Sequence, residues 1–163
     1  TDARVREDKS VTPTFLFAVL LWPAIARGAG VEGGRLPEDP QRLLSSCDEA
    51  LARQLRRIAI PKRFALPMRE MIAMQPRFER RAGRRALRLL EHPRFRAAYD
   101  FLLLRAEAGE ADPEVAGFWT RLQSLPPEQR TTEVESQPVA AGEGDAPQRK
   151  RRRRSRRRTR PAE

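Results

Sequence analysis

Residues 77–107 read RFERRAGRRALRLLEHPRFRAAYDFLLLRAE, and two patterns are superposed in them. Leu87, Leu90, Phe95, Tyr99, Leu102, Leu103 and Ala106 recur at helical spacing. This is the stripe of helices that turn one face to a core. Arginines fill the other faces: Arg77, Arg80, Arg81, Arg84, Arg85, Arg88, Arg94 and Arg96. A surface helix ordinarily mixes charge signs to limit self-repulsion, yet before Asp100 the only acids are Glu79 and Glu91. Such a surface is poised for polyanions; the plainer alternative is a solvated arginine-rich face with no partner.

Working outward, the same reading gives helices on both sides. Thr12-Pro13 starts a helix to about residue 27, with proline suited to the first turn. It is apolar almost all round, which predicts a central core helix, kinked at Pro23. Four glycines in 28–36 make a loop. Asp39-Pro40 starts a second helix to about residue 59, with the stripe Leu44, Cys47, Leu51, Leu55 and Ile58. Pro67 is expected to open a third helix, carrying Met68, Met71, Ile72 and Gln75 and interrupted by Pro76. The arginine-rich pair follows, roughly 78–91 and 93–108, and Asp112-Pro113 starts a short helix with Phe118, Trp119 and Leu122. No strand pattern appears. The expectation is an all-α, bundle-like domain of five to six helices over residues 1–123.

From Ser124 the composition changes. Residues 124–148 hold Pro, Gly and five acids against one Arg, and read as a disordered acidic linker. Residues 149–163 form a basic tail that would repel itself and stay extended. The net charge is +11; the run RKRRRRSRRRTR at 149–160 supplies ten positive charges. Residues 53–96 carry another fourteen Lys and Arg against three acids. Basic charge therefore sits in two places, a folded middle and an extreme tail.

Several classes are excluded or disfavoured. The apolar run Phe15–Ile25, broken by Pro23, is short of the ~20 residues a spanning helix needs. One cysteine, Cys47, forms no internal disulfide and suits a reducing cytoplasm. With one His, His92, a Cys/His zinc site has too few ligands. No phosphate loop or nucleophile elbow is visible. Cys47 on an apolar stripe reads as core packing, and His92 before Pro93 as a helix cap or a nucleic-acid contact. Asp2, Glu7 and Asp8 alternate with Arg4, Arg6 and Lys9, which suits ion pairing better than a metal. Phe64 and Phe78, each beside Arg, are stacking candidates for a single strand, with core the preferred reading of both. Since phosphate contacts carry no base code, the residues point to sequence-nonspecific binding of an RNA or DNA backbone.

The runs RVREDKSVTPTFLFAVLLW (4–22), IAIPKR (58–63) and GRRALRLLEHPRFRAAYDFLLLRAE (83–107) resemble the C-terminal half of bacterial poly(A) polymerase I. The arginine tail matches that family in composition. The loop 28–36 looks shortened, and Pro76 breaks a helix expected to be smoother. The resemblance implies addition of adenosines from ATP to RNA 3′ ends by a nucleotidyltransferase head lying upstream, together with Mg²⁺. With that head absent, no catalytic residue, metal ligand or cofactor is assigned to this chain. A fragment of a longer bacterial cytoplasmic protein is expected, with RNA 3′ ends and its own N-terminal head as partners and no membrane. The matching RNA-binding positions are Lys62, Arg63, Arg84, Arg85, Arg88, Arg94 and Arg96, with Arg151, Arg152, Arg153, Arg154, Arg156, Arg157 and Arg158 of the tail. The alternatives are the related CCA-adding tRNA nucleotidyltransferase branch, and a basic protein-interaction module.

Overall fold

A computed structural model describes residues 12–56 and 60–138. The described residues form seven helices: α1 (Pro13–Ala29), α2 (Pro40–Leu55), α3 (Lys62–Phe78), α4 (Gly83–Leu90), α5 (Phe95–Glu107), α6 (Pro113–Ser124) and α7 (Pro127–Glu135). The all-α expectation holds.

Three helix starts follow from local chemistry. The side chains of Thr12, Asp39 and Asp112 accept hydrogen bonds from the backbone N–H groups of Phe15 (3.3 Å), Gln41 (2.9 Å) and Glu114 (2.8 Å). Each is followed by proline in the first turn, where its missing N–H costs nothing. The third start differs from expectation. α3 begins at Lys62, directly after Pro61, and runs through both Pro67 and Pro76. Met68, Met71, Ile72, Met74, Gln75 and Phe78 are all buried along it. That burial, at roughly 1.5–3 kcal/mol for a large apolar side chain, outweighs two lost backbone hydrogen bonds.

α1, α2 and α3 pack on one another, α5 packs on α3, α6 and α1, and α7 packs on α4. The buried face of α2 is Leu43, Ser46, Cys47, Ala50 and Leu51, whereas Leu55 is 53% exposed. The true stripe is thus rotated from the one that began at Leu44. α1 is also more one-sided than its composition suggests. Phe15, Ala18, Trp22, Ile25 and Ala29 are buried, while Leu20 is 71% exposed. The helix most enclosed by its neighbours is α5, which buries Phe95, Ala98, Tyr99, Asp100, Phe101, Leu102 and Arg105.

The faces of α5 explain that enclosure. Phe101 meets Phe15 and Trp22 of α1 edge-on, with ring centroids 6.3 and 5.4 Å apart. On another side Phe95 stacks on Tyr99 and contacts Phe78 and Trp119, whose indole N–H donates to the Phe78 carbonyl at 2.8 Å. Hence Phe101, and not the Phe95–Tyr99 face, docks on α1, because successive side chains on a helix lie ~100° apart. Leu102, 1% exposed, is core. Leu102→Ala is expected to cost ~2–5 kcal/mol and to lower the melting temperature by about 4 °C per kcal/mol. A thermal melt identical to wild type would place Leu102 outside the core.

The stretch 124–148 was expected to be linker throughout, but its first part is helix. Arg130 bonds back to the carbonyls of Leu125 (2.8 Å) and Gln123 (3.0 Å), and Val134 is fully buried. One buried valine and one anchored arginine are too small a signal to shift the composition of the whole stretch. α7 therefore extends the folded part past residue 123 and backs the arginine-bearing helix α4.

Candidate nucleic-acid interface

The chain turns sharply between α3 and α4. Arg80 closes the end of α3 through its N–H to the Arg77 carbonyl (3.2 Å), and Gly83 takes a left-handed φ of +67°. Glycine adopts that region without the Cβ clash of other residues. α4 then buries Ala86 and Leu89 and turns Arg84, Arg85 and Arg88 to solvent. The turn brings Arg85 and Arg88 up to Arg77 and Arg80, and the four line a cleft of about 290 Å³ floored by Leu89. Guanidinium forks suit phosphate oxygens in two-point hydrogen bonds, and several converging on one cleft make an anion seat.

The other expected positions separate into groups. Arg94 lies beside Glu70, with a 3.3 Å contact, and its backbone N–H donates to His92 Nδ1 at 3.1 Å. That bond closes a local turn ahead of α5, whose N-cap residue is Arg94 and carries no side-chain cap, so the helix-capping role expected of His92 is not what it performs. Arg96 pairs with Asp100 one turn on (3.3 Å) and lies over the Tyr99 ring at 5.8 Å. Both arginines have carboxylate partners within the fold, so each contributes less free charge than a bare count suggests. Lys62 and Arg63 are exposed at the start of α3, with the Arg63 guanidinium 4.8 Å over the half-buried Phe64 ring. Phe64 packs against the core beside Phe17, with ring centroids 6.2 Å apart, and Phe78 is fully buried, so the preferred core reading suits both. Arg151, Arg152, Arg153, Arg154, Arg156, Arg157 and Arg158 lie outside the described residues, as do Asp2, Glu7 and Asp8.

Arg77 and Arg80 are the cleft residues that the motif-matched positions omit. Their signal is present in the sequence as two pairs spaced three apart, 77/80 and 85/88. Spacing of three puts Arg85 and Arg88 on one face of α4, whereas Arg80 lies just past the end of α3. That the two pairs meet depends on the turn at Gly83.

A second, larger recess of about 700 Å³ adjoins it and shares Arg80. Its walls are the loop after α1, the end of α3 and the α5–α6 connection, with Pro37, Pro40, Pro76 and Pro113 among its lining. Three carboxylates, Glu38, Glu79 and Asp112, also line it.

Cys47 is buried, and burial pushes its thiol up to about 12, so the thiolate a nucleophile needs is not formed at neutral pH. Among the described residues no three His, Cys, Asp or Glu side chains converge as metal ligands, so these residues do not fit a Mg²⁺ seat. No helix among the described residues is long and apolar enough to cross a membrane.

Known proteins match this chain over most of its length. The family model described as the polymerase A arginine-rich C-terminus matches residues 38–159. Poly(A) polymerase I of Escherichia coli O157:H7 is 40% identical over 137 residues, 80% of this chain and 29% of that protein. Poly(A) polymerase I of Salmonella typhi is 39% identical over the same shares. That of Haemophilus influenzae is 33% identical over 141 residues, 84% of this chain and 31% of its own length. The chain thus spans under a third of these relatives. Matched by the family model over three-quarters of its length and by relatives at 33–40% identity, the chain belongs to the arginine-rich C-terminal family of bacterial poly(A) polymerase I.

Proposed function

We propose that this chain is the RNA-binding C-terminal region of a bacterial poly(A) polymerase, a cytoplasmic enzyme that adds adenosines from ATP to RNA 3′ ends. The observation that carries the reading is the convergence of Arg77, Arg80, Arg85 and Arg88 on one cleft. Four guanidiniums held on two helix ends favour a polyanion whose phosphates are regularly spaced. Arg84 adds charge to the same short helix, and the exposed Lys62–Arg63 pair offers a second basic patch at the opposite end of α3. The run at 149–160 adds ten positive charges. A phosphoryl-transfer centre needs positioned metal-bound carboxylates, and these belong to the catalytic head that the rest of such a polymerase supplies, with ATP and Mg²⁺.

Two assays test this. The purified chain should add no AMP to a labelled RNA primer in the presence of ATP and Mg²⁺, and any ATP-dependent lengthening would contradict the assignment of roles. In the intact polymerase, replacing Arg84, Arg85 and Arg88 by Ala should lower elongation even at saturating RNA. Position as well as charge is lost, and misplacing reacting groups by about 1 Å can cost ~100-fold. A loss that disappears entirely when RNA is raised would reduce these residues to affinity alone.

A further inference from the structure

Arg80 belongs to two adjoining recesses of opposite character. On one side lies the arginine cleft with Arg77, Arg85 and Arg88. On the other lies the proline-walled groove, where Glu38, Glu79 and Asp112 outnumber Arg35 and the shared Arg80. We propose that the two together form a nucleotide subsite: the phosphate of a strand sits in the arginine cleft, and the base attached to it enters the groove. This rests on the RNA-binding reading above and adds to it where a base goes.

Charge decides the orientation. A phosphodiester running along the groove would face three carboxylates, and like charges at contact distance are unfavourable. A base carries no charge, and its N–H groups can donate to carboxylate oxygens, which when ionised only accept. Size agrees as well. At about 700 Å³ the groove lies within the ~300–1,000 Å³ of small-molecule sites, room for a base with its ribose. The smaller cleft, about 290 Å³, accepts a phosphate with its hydration.

The walls are fixed in advance. Proline rings present apolar faces with a locked φ. Gly34 holds φ +80° with its Cα pressed on the opposite wall, so that a Cβ there would sit 2.7 Å from the Glu110 carbonyl carbon. Asp112 is held as the cap of α6 by the Glu114 N–H at 2.8 Å. A preformed groove spends less ordering entropy on its ligand.

The test is an amide-resolved NMR titration of the full chain with the 5′-phosphorylated diadenylate pApA at low salt, with inorganic phosphate as the comparison. Phosphate alone is expected to shift amides of residues 77–88. The dinucleotide should shift these and also those of Gly33, Gly34 and Gly109, which line the groove alone. R85Q/R88Q, two changes at exposed positions, should weaken pApA by about tenfold or more, losing charge-assisted phosphate contacts, and should diminish both sets of shifts together. An unchanged far-UV spectrum confirms that this variant is folded. Shifts from pApA confined to residues 77–88 overturn the subsite. So does silence at both recesses while the chain still binds a fifteen-nucleotide oligoadenylate, an outcome that leaves the RNA-binding reading standing. Failure to bind the oligoadenylate at all sinks that reading itself.

Discussion

Arg105→Ala should unfold this domain at markedly lower urea concentration than wild type, with a loss of several kcal/mol, since each buried acceptor left without its donor costs ~1–3 kcal/mol. Arg105 is 2% exposed. Its guanidinium donates to Gln75 Oε1 (3.1 Å), to the Glu110 carbonyl (2.6 Å) and, at the limit of 3.5 Å, to the Gly34 carbonyl. It also lies 4.5 Å from the centre of the Trp22 ring, whose Nε1–H donates to Glu110 Oε2 at 2.5 Å. Gln75 in turn donates to the Met71 and Ala98 carbonyls, each at 3.1 Å. One side chain therefore ties α1, α3 and α5 to the loops on either side of the larger groove. Burial lowers its pKa to about 10, still high enough for it to be charged at neutral pH. Truncation leaves Gln75 Oε1 and two loop carbonyls without their donor, and each such orphan costs ~1–3 kcal/mol. Arg105→Lys should recover only part of the loss, because an ammonium cannot reproduce the planar fork. Since whole domains are stable by ~5–15 kcal/mol, a midpoint within error of wild type would show that the network is ornamental.

Nothing in the sequence singled out Arg105 as central, and the reason is physical. It sits in RAE at the end of an arginine-rich stretch, where its composition looks like that of its solvated neighbours. Only the meeting of Gly34, Gln75 and Glu110, far apart in the chain, makes it a core residue. What the sequence did reveal was local. The starts at Thr12-Pro13, Asp39-Pro40 and Asp112-Pro113 are correct because a cap is decided within three residues. Pro67 was misread as a start because that preference, though real, is overridden where a helix buries as much as α3 does. The same division applies to the candidate site. The arginine density of 77–96 was plain in the sequence, but which arginines converge depended on the turn at Gly83, and which are already paired on where Glu70 and Asp100 lie. Glu70 reaches Arg94 from α3, and Asp100 meets Arg96 along α5, while Arg77 and Arg80 enter the cleft.

Removing residues 149–163 should change RNA binding by the largest factor of any alteration to this chain, while leaving the fold intact. The tail carries ten positive charges in twelve residues. Single-strand binding falls with salt at a slope of ~−0.7 per phosphate neutralised, so about five engaged arginines account for ~3.5 units of slope. Between 50 and 200 mM salt that difference alone amounts to about 100-fold in affinity. Deletion should therefore flatten the plot of log K against log salt by ~3.5 units and weaken binding at low salt. Preference among RNA sequences should barely move, because phosphate contacts carry no base code. The melting temperature should also stay put, since the last helix among the described residues ends at Glu135, well before the deletion. R85Q/R88Q is expected to do the reverse: a smaller change in slope, of about one to two phosphates, but a change in where the strand lies. The measurement is a salt titration of fluorescent oligoadenylate binding to the two variants and the parent chain. A slope unchanged by tail deletion would mean that the arm does not touch RNA, and its arginines would then have to be assigned to an acidic protein partner.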